Sequence, residues 1–240
     1  MKEAIILAGG FGTRLKSVIQ EIPKPMASVN DAPFLEYLLK QLSLSGFSKV
    51  ILSVGYKHEI ISDYFGDSFE SMHVDYCVEE SPLGTGGAIA LAMKQTAADN
   101  ILVLNGDSIL LASFDEFYNF HLTQKTPVSI ALKAEKNFSR YGSVILDDHK
   151  IVRFEEKKHV AEGVFSTGIY WFSSSAKDYL LKLSTPFSVE NEIFEKQIFH
   201  LSGCVFHDYF IDIGVPEDYL QAQTSLKPAF EQYIIRHAAS

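Results

Sequence analysis

Near the N-terminus stand Ala8-Gly9-Gly10-Phe11-Gly12-Thr13-Arg14-Leu15-Lys16 and, a short way on, Pro23-Lys24-Pro25. Glycines that follow a strand let the backbone approach a bulky ligand and take φ > 0 where a turn demands it. The N–H groups that such a turn exposes in succession form a concave anion site. Arg14 and Lys24 add positive charge, and the prolines on either side of Lys24 stiffen its backbone. The chemistry this suits is the binding of a polyphosphate. Taken alone, the three glycines are as consistent with a plain tight turn. The dinucleotide fingerprint G-x-G-x-x-G fails, because Leu15 stands where the last glycine belongs, and no Gly-Lys-Ser/Thr follows to make a Walker A loop.

Two later stretches also carry chemistry. Glu79-Glu80-Ser81-Pro82-Leu83-Gly84-Thr85-Gly86-Gly87-Ala88 leads into a helix expected over Ala88–Lys94, whose first N–H groups would face a ligand. A simple strand-to-helix connector needs one glycine; three with a threonine exceed that. The apolar run Ile101-Leu102-Val103-Leu104 delivers Asn105-Gly106-Asp107 at the carboxyl end of a strand, where ligands of open α/β sheets collect. A single Asp after a strand is more commonly a helix cap.

The elements that must position these residues alternate. A strand over Ala4–Leu7 opens the chain, and Phe34, Leu35, Leu38, Leu39 and Leu42 mark one face of a helix that Gly46 stops. Strands are expected over 49–54, 73–78, 101–104 and 128–133, with helices over 59–65 and 115–124. That alternation argues a doubly wound parallel sheet. From Phe138 the texture changes: 141–146 and 151–155 read as a β-hairpin, 166–172 as a further strand, 176–183 and 189–199 as helices, and 205–209 as a strand. Pro216 is expected at the first turn of a helix ending near Thr224, with a separate final helix from Pro228 to Ala238.

A chain of 240 residues with 47% hydrophobic and 21% charged residues can bury a full α/β core. The net charge of −9 argues against general nucleic-acid binding. Through Lys24 the cations outnumber the acids, so the first loop is locally basic and suits a small focused anion. Cys77 and Cys204 lie in apolar runs and read as buried free thiols. The opening apolar run is too short for a signal peptide and no stretch approaches a membrane span, so a cytoplasmic protein without membrane partners is expected.

L-A-G-G-x-G-T-R-L followed by P-K-P resembles the sugar-1-phosphate nucleotidyltransferases, the nucleotide-sugar pyrophosphorylases. Pro82-Leu83-Gly84-Thr85-Gly86-Gly87-Ala88, Gly106-Asp107, Tyr141-Gly142-Ser143-Val144, Glu155-Glu156-Lys157, Ser166-Thr167-Gly168-Ile169-Tyr170 and Asp212-Ile213-Gly214-Val215-Pro216-Glu217-Asp218-Tyr219 extend the likeness from about residue 3 to about residue 225. Val215 departs from the family's threonine. The resemblance implies a Rossmann-like doubly wound mixed sheet of the GT-A type, one domain over 1–240, with a small β-hairpin insertion for the sugar. Its nucleotide half would be 1–133, its sugar-phosphate half 134–225, and 226–240 a terminal helix.

The same resemblance implies nucleotidyl transfer from a nucleoside triphosphate to a sugar 1-phosphate. Asp107 and Asp212 would hold Mg²⁺. Lys24 would act at the α-phosphoryl group, Arg14 at the departing pyrophosphate and Lys157 at the sugar phosphate. Leu7, Ala8, Gly9, Gly10, Gly12, Thr13, Pro82, Gly84 and Thr85 would seat the nucleotide, and Gly142, Glu156 and Thr167 would contact the sugar. Glu79 stands where the family reads the base, and a carboxylate can accept both N1–H and the N2 amino group of guanine, so GTP is favoured. The compact length, with the stretches Pro82–Ala88 and Asp212–Tyr219, most resembles the members that use a heptose 1-phosphate, with a mannose 1-phosphate guanylyltransferase or a hexose or MurNAc 1-phosphate uridylyltransferase as alternatives; a homodimer is compatible with it. A non-catalytic nucleotide-sugar sensor on this fold could dispense with Lys24, Asp107 or Asp212, and all three are present.

Overall fold

The structure, a computed structural model, describes residues 1–10 and 22–237. In chain order the strands are β1 (Glu3–Leu7), β2 (Ser28–Val29), β3 (Ala32–Pro33), β4 (Lys49–Val54), β5 (Ser68–Phe69), β6 (Met72–Val78), β7 (Asn100–Asn105), β8 (Ser108–Leu110), β9 (Val128–Phe138), β10 (Gly142–Asp147), β11 (Lys150–Lys157), β12 (Val160–Ser173), β13 (Leu201–Phe206) and β14 (Phe210–Asp212). The helices are α1 (Phe34–Leu44), α2 (His58–Phe65), α3 (Gly84–Met93), α4 (Phe114–Gln124), α5 (Ser174–Leu180) and α6 (Pro216–His237). They fall into two compact units, one made of 1–82, 104–111 and 209–240, the other of 83–103 and 112–208.

The first unit is built on parallel strands. β1 pairs with β4, Ile5 opposite Ile51, and β4 with β6, Ile51 opposite Asp75; the short β5 closes the edge. Ala4, Ile5, Ile6, Val50, Ile51 and Leu52 are fully buried, the continuous apolar run that a strand covered on both faces requires. α1 lays Phe34, Leu35, Leu38, Leu39 and Leu42 inward, and its buried Gln41 donates to the Leu110 carbonyl at 2.7 Å. Gly46, at φ +71°, ends that helix as expected. β2 and β3 join through Asn30 and Asp31, both at positive φ, the conformation that a two-residue hairpin turn of the right twist needs.

α6 corrects the expectation of two C-terminal helices. It runs unbroken from Pro216 to His237 with Pro228 inside it. Ala222, Leu226, Phe230 and Tyr233 fall on one buried stripe, and Phe230 meets Tyr37 of α1 edge-on at 5.3 Å. Continuous burial on that stripe outweighs the hydrogen bond that Pro228 cannot make. Pro216 is the first residue of the helix, as expected.

In the second unit β9 lies between β12, which runs antiparallel to it, and β13, which runs parallel. β10 and β11 form the expected hairpin, closed by Asp147 opposite Lys150. The helix expected over 189–199 is only a π-helical turn, Glu190–Glu195, and the strand expected at 205–209 starts earlier, at Leu201, because Leu201 to Cys204 are buried beside β9. Cys77 and Cys204 are buried free thiols, and burial pushes Cys204 up to about 12.

α4 is capped by Ser113, whose Oγ accepts from the Glu116 N–H. It carries His121, 3% exposed, into a polar line: Nδ1 lies 2.8 Å from Ser129 Oγ and Nε2 3.1 Å from Asn100 Oδ1. Burial lowers the imidazole from 6.5 to about 4. Between those values the unfolded chain takes up a proton that the folded chain refuses, so stability present near neutrality is lost as pH falls from about 6.5 toward 4. Urea unfolding should show a loss of roughly 2 kcal/mol from this group between pH 7 and pH 5. His121→Gln, which cannot titrate, should flatten that slope; an unchanged slope would remove His121 as its source.

Candidate active site

In the first unit the end of β1 is the platform. The Ala8 N–H donates to the Ser53 carbonyl at 2.7 Å, and Gly9 packs so closely on Gly55 that a Cβ on Gly55 would stand 3.2 Å from the Gly9 carbonyl. A Cβ on Gly9 would lie 2.7 Å from Glu79 Oε1. The half-buried Glu79 therefore reaches over Gly9; its Oε1 also accepts from Ser53 Oγ at 3.2 Å. Leu7 and Gly9 are half-buried and Gly10 is exposed. Gly12, Thr13 and Arg14 lie outside the described residues.

Asp107 arrives on the turn between β7 and β8. Gly106 is required there, since its N–H donates to the Leu7 carbonyl at 2.9 Å and a Cβ would approach that same oxygen to 2.7 Å. This close approach sets Asp107 against the end of β1. Lys24 sits on a single 3₁₀ turn, Lys24–Met26, with Pro23 extended before it, and its ammonium ion-pairs with Asp107 Oδ2. Asp107 caps no helix, and its Oδ1 accepts a long 3.3 Å bond from Ser108 Oγ. Asp212 comes in on β14, opposite Ser108 in the antiparallel ladder, and the Ile213 N–H donates to the Asp107 carbonyl at 2.9 Å. Residues 107 and 212 are thus neighbours across one ladder, although 105 positions apart in sequence. Asp212 Oδ1 accepts from the Gly214 N–H at 2.5 Å, a short turn just before α6.

α6 in turn grips the segment that carries Lys24. Tyr219 Oη and Gln223 Nε2 both donate to the Ser28 carbonyl, at 2.7 and 2.8 Å, and Asn30 Nδ2 donates to the Gln223 carbonyl at 2.5 Å. The Asp-Ile-Gly-Val-Pro-Glu-Asp-Tyr stretch therefore supplies Asp212 and, through Tyr219, steadies the hairpin that follows Lys24. Among the described residues no cluster of three or more His, Cys, Asp or Glu gathers as a ready-made metal cage.

In the second unit the glycine loop differs from expectation. α3 begins at Gly84, not at Ala88, and two of its first N–H groups are already taken: Gly86 and Gly87 both donate to the Phe187 carbonyl, at 3.0 and 3.3 Å. Phe187 N–H donates back to the Leu83 carbonyl at 2.9 Å. Gly84, at φ +72°, and Gly86 leave room for Phe187, since Cβ atoms there would stand 2.4 Å from its carbonyl oxygen and 2.1 Å from its ring. The glycines exceed what a connector needs because another segment packs on them. Thr85 Oγ1 donates to Glu190 Oε2 at 2.5 Å and accepts from the Val189 N–H at 3.0 Å. Pro82, assigned to the first unit, is exposed.

The β10–β11 hairpin presents Glu156 and Lys157 to solvent. Gly142 stands opposite Lys157 at a register shift, where a Cβ would collide with the Glu155 carbonyl at 2.4 Å. Glu155 is held down to about 2 by Lys158, then Arg153 and Ser143. Thr167 lies where β12 breaks its pairing with β9 between Ser166 and Tyr170; it is 2% exposed and its hydroxyl goes to the Ala131 carbonyl at 2.7 Å. Ser53, Gly55, Phe187 and Glu190 escaped the sequence reading, because none belongs to a motif and each matters only through a partner far away in sequence.

Gly9 and Gly10 follow β1, Lys24, Asp107 and Asp212 gather beside its end, and the chain that carries them belongs to the nucleotidyl transferase family, which it matches over residues 3–228. It is 42% identical, over 94% of its own length and 98% of the other's, to D-glycero-alpha-D-manno-heptose 1-phosphate guanylyltransferase of Aneurinibacillus thermoaerophilus. It is 43% identical to the protein of that name from Campylobacter jejuni, covering 90% of this chain and 96% of that one. The crystal structure of HddC from Yersinia pseudotuberculosis complexed with GMP-PN superposes with a TM-score of 0.85 at 36% identity, covering 94% of this chain and all of that one. No helix among the described residues is long and apolar enough to cross a membrane.

The packing makes Gly86 a test of the second loop. Gly86→Ala should destabilise the fold by about 2 kcal/mol in urea unfolding, because a ring cannot yield as a flexible side chain end can. Shortening the ring as well, in Gly86→Ala/Phe187→Leu, should recover part of that loss. If the single variant unfolds like the wild type, the contact is not as close as described.

Proposed function

We propose that this chain transfers GMP from GTP to D-glycero-α-D-manno-heptose 1-phosphate and releases pyrophosphate, supplying a nucleotide sugar for surface polysaccharide. The observation that carries the reading is the Lys24–Asp107 pair beside Asp212 at the end of β1, in a chain 42% identical to a heptose 1-phosphate guanylyltransferase. The reading takes 1–240 as one nucleotidyltransferase domain acting in the cytoplasm.

The attacking phosphate oxygen of the sugar 1-phosphate is already an anion, so no general base is needed. A bond forms from that oxygen to the α-phosphorus as the bond to the bridging oxygen of the leaving pyrophosphate breaks. The obstacle is repulsion between two anions and charge gathering on the phosphoryl oxygens, which calls for cations and alignment. Lys24 neutralises the α-phosphoryl group, Arg14 the pyrophosphate and Lys157 the sugar phosphate. Glu156 and Gly142 meet the sugar, while Thr167, with its hydroxyl committed to Ala131, shapes the strand break.

Asp107 and Asp212 fit a hard divalent cation: they are neighbours across one ladder, and the first already attracts an ammonium. Mg²⁺ is held by one or two carboxylates and completed by substrate phosphates rather than by a full protein cage. Bound there, Mg²⁺ supplies charge neutralisation at the phosphoryl oxygens. Ala8 to Gly10 of the first loop seat the nucleotide, and Glu79 accepts from the guanine edge over Gly9.

Pyrophosphate release, measured over four nucleoside triphosphates and a panel of sugar 1-phosphates, should be fastest with GTP and the heptose 1-phosphate. No release with any pair would overturn the reading. Asp107→Asn should melt near the wild type yet lose kcat by about a hundredfold or more, since a neutral amide is a poor partner for Mg²⁺. Glu79→Gln tests the base separately. It should cut the preference for GTP over UTP by about tenfold while turnover with UTP persists. A wild type that used UTP as well as GTP would remove Glu79 from that role.

A further inference from the structure

We infer that the segment Thr185–Glu195 is a strap that sets the second nucleotide loop, with Glu190 as its positioning residue for Thr85. This rests on the reading of Gly84 and Thr85 as nucleotide-binding and adds what holds them in place. Three independent contacts fix the loop. The Phe187 backbone exchanges hydrogen bonds with Leu83, Gly86 and Gly87. The Phe187 ring fills the space over Gly86 that a Cβ would need. Glu190 Oε2 accepts from Thr85 Oγ1 at 2.5 Å and from Ser188 Oγ at 2.7 Å.

The Thr85 hydroxyl has no proton left for another acceptor in this arrangement. It gives its one proton to Glu190 and takes the Val189 N–H on its oxygen. It therefore acts on the nucleotide by fixing the backbone of Gly84 to Gly86, not by donating to the ligand. The bond between a hydroxyl and an ionised carboxylate is the stronger, charge-assisted kind, which suits one that must hold a glycine-rich turn otherwise rich in conformational freedom.

The strap continues into the sugar side of the same unit. Glu190 opens the π-helical turn Glu190–Glu195, and such turns are rare and frequently mark functional sites. Phe194 on that turn stacks on Phe154 at 6.1 Å and leans on Tyr170 at 5.0 Å. Phe154 lies on β11 two residues before Glu156, and Tyr170 on β12 three residues after Thr167. One short segment thus touches the nucleotide loop at its start and the two sugar-phosphate strands at its end.

Steady-state kinetics with GTP and the heptose 1-phosphate, alongside thermal melting, test the inference. Glu190→Ala should raise KM for GTP by about fivefold, with kcat within about twofold and KM for the sugar phosphate little changed. Glu190→Gln, which keeps an acceptor oxygen for both hydroxyls, should restore most of the GTP affinity. Thr85→Val should reproduce Glu190→Ala, and the double variant should be no worse than either single one. Thr85→Val also serves as the test should Glu190→Ala fail to fold. An unchanged KM for GTP in Thr85→Val, or equal losses in both KM values accompanied by a lowered Tm, would overturn the positioning role while leaving the proposed reaction intact. A wild type inactive with every nucleotide and sugar phosphate would instead overturn the reaction.

Discussion

The ion pair between Lys24 and Asp107 is the contact on which the first unit's architecture converges. Neither charge is fully exposed, and each would be costly to leave alone so close to the packed end of β1. Held together, they keep a cation and an anion assembled at the end of β1, the pair of charges on which the proposed reaction draws. Much of the surrounding structure can be understood as what it takes to bring them together. Two prolines fix the backbone under the lysine. Gly106 lets the aspartate's turn press on the end of β1. β14 lies along β8 to add the second carboxylate, and α6 clamps the hairpin that follows Lys24.

The sequence made plain whatever depends on neighbours in the chain. Apolar runs such as Ile101–Leu104 announced buried strands, the leucines of α1 announced a face, and Gly46 announced a stop. Asp107 and Asp212 were legible because each sits in a dense local motif. Elements set by distant partners were not. Pro228 breaks the local pattern of α6, and only the packing of Phe230 against Tyr37 explains why the helix continues. β14 is three residues long and exists because β8 offers it a ladder. The start of β13 was hidden for a similar reason, as burial beside β9 rather than local alternation defines it.

The glycine loop shows how a correct motif can carry an incomplete physical account. Its glycines were read as exposing N–H groups toward a ligand. In the fold, two of their N–H groups and much of the space above them belong to Phe187. A glycine excess therefore reports a close approach without saying what approaches. The first loop obeys the same logic with another partner, since the space over Gly9 is taken by the carboxylate of Glu79.

The division of the chain bears on when the protein first becomes complete. The first unit draws on residues 1–82, 104–111 and 209–240, so its two aspartates and its clamp are contributed by segments far apart in the order of synthesis. Domains fold as units as they leave the ribosome, and contacts between distant segments form late. The second unit, continuous apart from a short excursion, can assemble while β14 and α6 are still being made. Lys24 and Asp107 emerge early, while Asp212 and α6 join the unit only once residues beyond 209 have been made. A chain halted before residue 209 would lack β14 and α6, leaving β8 without its β14 ladder and the Ser28 carbonyl without its Tyr219 and Gln223 donors.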